Sequence, residues 1–333
     1  MALCVAAASS ASAQTPPAAA EFFKGKTLHL VLGVGVGGGF DTYAHLLAPH
    51  LGKALGATVV VETLPGAGQL IAINRIYAAP PDGLSIMLLN GTPAALSQII
   101  EQDNARFDLT RMEHLGIVNA SPSMWLAGAK SGITTPADAM KPGRKVLFGG
   151  TGPTGGLADP AALTCEVLHL QCKIVIGYKS SADVVLAVER GEIESVYTSD
   201  SSALHYDRSG RVKAIANMAR ERSKLLPHVP TLFELINIPP EDAWIVDFRA
   251  DLDELGRIFV TTPGVPLDRL TVLREALHKI LTDPAVVAEG AAAERFIDYR
   301  NWKSAQEMMR RAIKDVPPDR KARVRAAILE KYK

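Results

Sequence analysis

Cysteine is scarce in this sequence, and neither sign of charge is in excess. Of three cysteines, Cys4 sits in an apolar leader, which leaves Cys165 and Cys172. Two cysteines cannot build a zinc site alone, and no histidine pair stands at finger-like spacing. An oxidising compartment would permit a bridge between them; two separate buried thiols fit the sequence equally well. The formal net charge of +1 gives no pull toward nucleic acid or an acidic membrane surface. No Lys/Arg cluster stands beside interleaved aromatics, and after the leader no apolar run reaches the length of a membrane span. Gly-Lys-Ser/Thr does not follow the glycines, so a Walker A loop is excluded. The Gly-x-Ser-x-Gly elbow of a hydrolase is missing as well. Ser199, Ser201 and Ser202 lie near Asp200 and His205, but each hydroxyl is more simply a helix cap or a ligand donor. The histidines are scattered, and His45 and His50 do not share a helical face. No metal and no cofactor are expected.

What the chain does have is length, an apolar content of 47% and a recurring unit. At 333 residues it can bury substantial cores and should form two domains. The first residues end in Ala11-Ser12-Ala13 before Gln14, an A-x-A site that reads as the close of an export signal. Residues 1–23 are therefore expected to be leader and tail. The organising stretch is LHLVLGVGVGGGFDTY, 28–43: an apolar strand, a glycine turn and the start of a helix. Free N–H groups and the positive dipole end of such a helix suit an anion. Asp41 is the natural N-cap, and Pro49 should kink or split the helix. A strand at 58–62 leads into Pro65-Gly66-Ala67-Gly68, and a strand at 84–89 leads into Asn90-Gly91-Thr92. Strand, turn and helix thus recur at even spacing, the rhythm of a parallel sheet whose loops gather at its carboxyl edge. A second set follows: a strand at 145–148 before Thr151-Gly152-Pro153-Thr154, then one ending in Thr198-Ser199-Asp200. Two late helices, near 302–313 and 320–332, are expected to pack back on the first lobe.

Gly33 to Gly38 also fits G-x-G-x-x-G, with Glu62 ending the next strand, so an NAD-dependent oxidoreductase is the rival reading. A dinucleotide site leaves the loops at 66–68 and 149–156 unexplained. The other loops instead offer backbone amides and hydroxyls facing one another from two lobes, able to hold a carboxylate. A sensory ligand-binding adaptor could use the same cleft.

Longer motifs carry a family likeness. LVLGVGVGGGFDTYAHLLAPHLGK, VVVETLPGAGQLIAINRIYAAPPDG, LLNGTP, FGGTGPTGG, VIGYKSSADVVLAVERGEIES and the segment from GRIFVTTPGVPLDRL onward resemble the periplasmic receptors of tripartite tricarboxylate transporters, the Bug or TctC-like proteins. The resemblance covers nearly all of the mature chain. It implies an α/β, two-lobe periplasmic-binding-protein-like fold, each lobe a mainly parallel sheet flanked by helices. One lobe would comprise 24–122 plus 246–333 and the other 123–245, with a hinged cleft between them. It implies a monomeric, exported, non-enzymatic receptor that binds a small organic acid and delivers it to integral membrane permease subunits. The residues that map onto the family's loops are Gly38, Gly39, Phe40 and Asp41; Gly66, Ala67 and Gly68; Asn90, Gly91 and Thr92; Thr151, Gly152, Pro153 and Thr154; and Asp200, beside the donors Thr198 and Ser199. The chain departs from the pattern in three places. The usual proline before the first loop is replaced by Leu32-Gly33-Val34, Gln69 stands where a glycine is common, and Pro239-Pro240-Glu241-Asp242-Ala243-Trp244 replaces a Gly-Trp segment.

Overall fold

The computed structural model describes residues 21–120, 122–314 and 316–332; the Ala11-Ser12-Ala13 site lies outside them. Its strands in chain order are β1 (Thr27–Leu32), β2 (Thr58–Thr63), β3 (Ser85–Asn90), β4 (Glu113–Asn119), β5 (Ser123–Gly128) and β6 (Lys145–Gly150). There follow β7 (Gln171–Ile176), β8 (Ser195–Ser199), β9 (Val212–Asn217), β10 (Arg257–Thr261) and β11 (Arg300–Asn301). They form two open sheets, ordered β11-β4-β10-β3-β1-β2 and β7-β6-β8-β5-β9. Inner strands such as β5 are buried along their whole length, as expected where helices cover both faces.

Each sheet is mixed. β1 pairs in parallel with β2 and β3, and β6 with β7 and β8. β10 runs antiparallel to β3 and β4, and β5 antiparallel to β8 and β9. β5 and β10 are the strands by which the chain enters a sheet from the other one; β11 also runs antiparallel to β4. β4 ends at the edge between the sheets, so β5 starts there and runs outward. Coming back, the helix Pro240–Asp253 delivers β10 to the same edge. The cleft therefore receives the carboxyl ends of β1, β3, β6 and β8 and also the amino ends of β5 and β10.

Several expectations are corrected. The helix Gly39–Leu55 stays one element through Pro49, burying Tyr43, Leu47, Leu51 and Leu55 on one stripe. Its N-cap is Gly38, not Asp41; the Asp41 carboxylate instead accepts the Gly37 amide at 2.9 Å, closing the loop from inside the first turn. Asp200 does not end a loop but opens a helix, Asp200–Asp207. Of the two late helices, Trp302–Lys314 packs on β4 of the first sheet. The Pro318–Ala326 helix is tied to both lobes: Lys321 pairs with Glu101 and Arg325 donates to the Glu101 carbonyl at 2.9 Å on the first, and Arg323 reaches Glu166 on the second. Its continuation Ala327–Lys331 lies against Asp159–Val167 of the second, where the Ile174 amide donates to the Tyr332 carbonyl at 2.8 Å. The physical reason is charge as well as shape: Glu166 draws Arg323 at 3.1 Å and Lys331 at 2.8 Å. The chain thus crosses between the sheets three times. Cys165 and Cys172 are bridged, joining the Asp159–Val167 helix to β7.

Candidate functional site

A cavity of about 70 Å³ lies between the two sheets. Its walls include Gly38, Asn90, Ser180 and Ser199, and each of these is the N-cap of a helix: Gly39–Leu55, Gly91–Ile99, Ser181–Arg190 and Asp200–Asp207. The first two caps make no side-chain bond to their own helix. Four positive dipole ends therefore converge on one small space, two from each sheet, and their first-turn N–H groups are the natural partners of an anion.

Arg257, the first residue of β10, adds a full charge. It is 1% exposed, and among the described residues no carboxylate pairs with it. Nη2 donates to Ser199 Oγ at 2.9 Å, Nη1 reaches Asn119 Oδ1 at 3.3 Å, and Nε has no partner. The guanidinium is held over the rings of Tyr43 and Phe40, 4.4 and 4.9 Å from their centroids. Burial pulls its pKa down, while Tyr43 and Asp200 nearby oppose that shift. A buried guanidinium without a counter-charge is costly, and a ligand carboxylate in this cavity would neutralise it.

A second part of the wall carries Arg249, Asp253 and Ser123. Arg249 Nε donates to Asp159 at 2.5 Å and Nη1 to Asp253. Asp253 also accepts the Ser123 amide at 3.1 Å. Burial pushes the Asp159 carboxyl up to about 7, against the pull of Arg249 and with help from Asp253. Asp253 is raised by the same burial.

The chain matches the model of a family described as tripartite tricarboxylate transporter family receptor over residues 44–316. It belongs to that family. The chain is 27% identical over 293 residues to a UPF0065 protein of Bordetella pertussis, covering 84% of this chain and 82% of that protein. It is 25% identical over 229 residues to protein BugT of the same organism, 66% and 68% covered. Among solved structures, the periplasmic binding protein BugD superposes with a TM-score of 0.74 at 20% identity, covering 91% of this chain and 97% of that one. MatC from Rhodopseudomonas palustris with bound malate gives 0.76 at 17%, covering 91% and 99%. Rpa4515 of R. palustris with adipate gives 0.75 at 17%, covering 90% and 97%. These likenesses show the two-lobe fold of periplasmic binding proteins.

In this TctC-family chain, Gly38, Gly39, Phe40, Asn90, Thr151, Thr198 and Ser199 line the cavity. The others are nearby but differently employed. Asp41 closes its own loop. The Pro65–Gly68 turn packs backbone to backbone against the other lobe: a Cβ on Gly68 would sit 2.9 Å from the Gly155 amide, and one on Gly152 2.3 Å from the Gly68 amide. Ala67, Gly68 and Gly152 thus form a contact between lobes, Gly66 faces Ile71 of its own lobe, and none of these, nor Pro153, is among the residues lining the cavity. Gly91 is sealed against Leu255. Thr92 donates to the Leu252 carbonyl at 2.8 Å. Thr154 bonds to Ser97 at 2.8 Å and Gln102 at 2.6 Å. Asp200 accepts from Ser223 at 2.7 Å and its own helix amide at Ser201. Gln69, at its departure from the family pattern, clamps both backbone groups of Asn90, at 2.9 and 3.2 Å.

Sequence reasoning missed Ser123, Ser180, Ser181, Arg249, Asp253 and Arg257, and named Ser202 only as a helix cap or ligand donor. The serine pair at 180–181 opens a capping box with Asp183, a legible signal for a helix N-terminus. Arg257 opens a strand, and a search confined to strand carboxyl ends passes over it. The Gly33–Gly38 loop, which the dinucleotide reading needs free, spends its Gly35 amide on the Lys179 carbonyl at 2.7 Å.

Proposed function

We propose that this chain is a periplasmic receptor that holds a small carboxylated compound between lobes 24–122 plus 246–333 and 123–245. It closes over the ligand and presents it to the membrane permease subunits of a tripartite transporter, with no chemistry on the ligand. The observation that carries the reading is Arg257, buried beside the cavity with a free Nε and no carboxylate partner among the described residues. The four helix N-termini around it make the same demand from neutral groups. Malate and adipate in two structural neighbours support an organic acid as the class of ligand. Export is supported by the family and by the periplasmic neighbour. Among the described residues, no helix is long and apolar enough to cross a membrane.

The test is a thermal-shift screen of organic acids and their uncharged amides, followed by calorimetric titration of the hits. A ligand that binds only the folded state raises Tm by mass action. Acids that shift Tm and come back chemically unchanged support the reading. A screen in which only amides shift Tm, or in which a hit is converted, refutes it. Association with the permease is checked by co-purification from membranes, and capture of a signalling protein instead would favour a sensory role.

A further inference from the structure

We propose, resting on that reading, that the ligand carries one carboxylate and, about four carbons away, a hydrogen-bond donor such as a hydroxyl or an ammonium. Linear dicarboxylates of the same length are rejected.

The inference comes from the unequal charges of the two cavity walls. Three charged residues line it: Arg257, Arg249 and Asp253. At the first wall Arg257 has hydroxyl and amide partners but no carboxylate, so one anionic group is wanted there. At the second wall two carboxylates share one guanidinium, with Arg249 Nε on Asp159 and Nη1 on Asp253. A second ligand carboxylate would meet Asp253 with the facing cation already engaged twice. Like charges brought together in a desolvated space repel strongly. A donor would be welcome, because Asp253 is an acceptor and the Ser123 hydroxyl beside it can accept as well.

The separation of the two ends follows from strand register. Ser123 on β5 lies opposite Ser199 on β8. Ser199 takes the hydrogen bond of Arg257, and the Ser123 amide donates to Asp253. Carboxylate end and donor end are therefore about one strand spacing apart, roughly 5 Å, the span of a four-carbon chain. A guanidinium already taken up by the chain's own carboxylates at the second wall also separates this chain from a receptor that is cationic at both ends, which would select for two carboxylates.

The experiment is calorimetric titration of the full chain with 4-hydroxybutyrate, 4-aminobutyrate, butyrate and succinate, backed by thermal shift. The two donor-bearing acids should bind at least ten-fold more tightly than succinate, with butyrate between. Succinate binding as tightly as 4-hydroxybutyrate overturns the inference and leaves the carboxylate reading standing. Binding by none of the four also overturns it, and the wider acid screen then decides the carboxylate reading separately. In a second arm, Asp253→Asn should shift the ratio of 4-hydroxybutyrate to succinate affinity at least ten-fold toward succinate. An unchanged ratio in the folded variant refutes the role given to Asp253. If that variant fails to fold, the order of the four ligands on the native chain still decides.

Discussion

Replacing Arg257 by Met removes the charge and keeps most of the packing between Tyr43 and Phe40. The ligand side of the effect is large. A guanidinium bound to a carboxylate through two N–H groups supplies two charge-assisted bonds, each worth about 1.5 kcal/mol at the low end. Losing both costs about 3 kcal/mol, a rise in Kd of roughly 100- to 200-fold. The stability side has the opposite character. Arg257 is buried with Nε unpartnered and no carboxylate on it, so its desolvation is poorly offset in the empty protein. Arg257→Met should therefore leave the Tm of the ligand-free protein equal or higher, even though Ser199 and Asn119 lose a donor. Titration of the best acid from the screen, together with ligand-free melting curves, separates the two effects. A folded Arg257→Met with wild-type affinity refutes the anion role outright. A ligand-free variant destabilised by about 3 kcal/mol or more would show that Asp200, not a ligand, is the true partner of the charge.

Three further outcomes are expected. A Cβ at Gly39 would lie 2.6 Å from Ser202 Oγ and 3.2 Å from Arg257 Nη2, so Gly39→Val should prop the lobes apart and weaken binding more than ten-fold. Small-angle scattering should then show a larger radius of gyration with ligand than the wild type has, and an equal radius with equal affinity counts against it. Thr151→Ala should weaken binding by the value of about one hydrogen bond, whereas Thr92→Ala, whose hydroxyl serves the Leu252 carbonyl, should cost about 1 kcal/mol of stability and leave Kd unchanged; titration and denaturant melts read the two apart. Asp159 is protonated in the folded chain up to about pH 7 and in the unfolded chain only to about 3.9. The native state thus holds more protons across that window, its stability falls as pH rises through it, and the curve flattens above. Asp159→Asn should remove that slope in Tm measured from pH 5 to 8, and a variant as steep as the wild type would contradict the assignment.

The legible half of this molecule is the half built by repetition. Strand, glycine turn and helix at 28–43, 58–77 and 84–99 are local patterns, and each turn is followed by its helix, opening at Gly39, Leu70 and Gly91. The glycines were legible as points of close approach but not as to what approaches. At Gly68 and Gly152 it is the other lobe's backbone, because lobe-to-lobe packing and ligand contact ask for the same missing side chain. The helix Pro240–Asp253 escaped notice for a different reason: Asp242, Arg249 and Asp253 lie on its buried face, breaking the apolar stripe that marks a helix in sequence. Those charges are tolerated only because Asp159 and Arg323, remote in sequence, answer them. Arg257 is hidden likewise, since nothing near it in the chain says that a cation at the head of an apolar strand will be buried without a carboxylate.

Arg249, Asp253 and Arg257 lie within one short run, the end of the crossover helix and the first residue of the strand it feeds. That run is a cassette. The helix-cap donors are spread over both lobes and suit any small anion, whereas the charged side chains that line the cavity among the described residues all fall within residues 249–257. Exchanging that run between relatives would transplant ligand preference without disturbing either sheet. On the proposed reading, a change of ligand preference in this chain would take only a few neighbouring substitutions, with the rest of the receptor left as a common chassis.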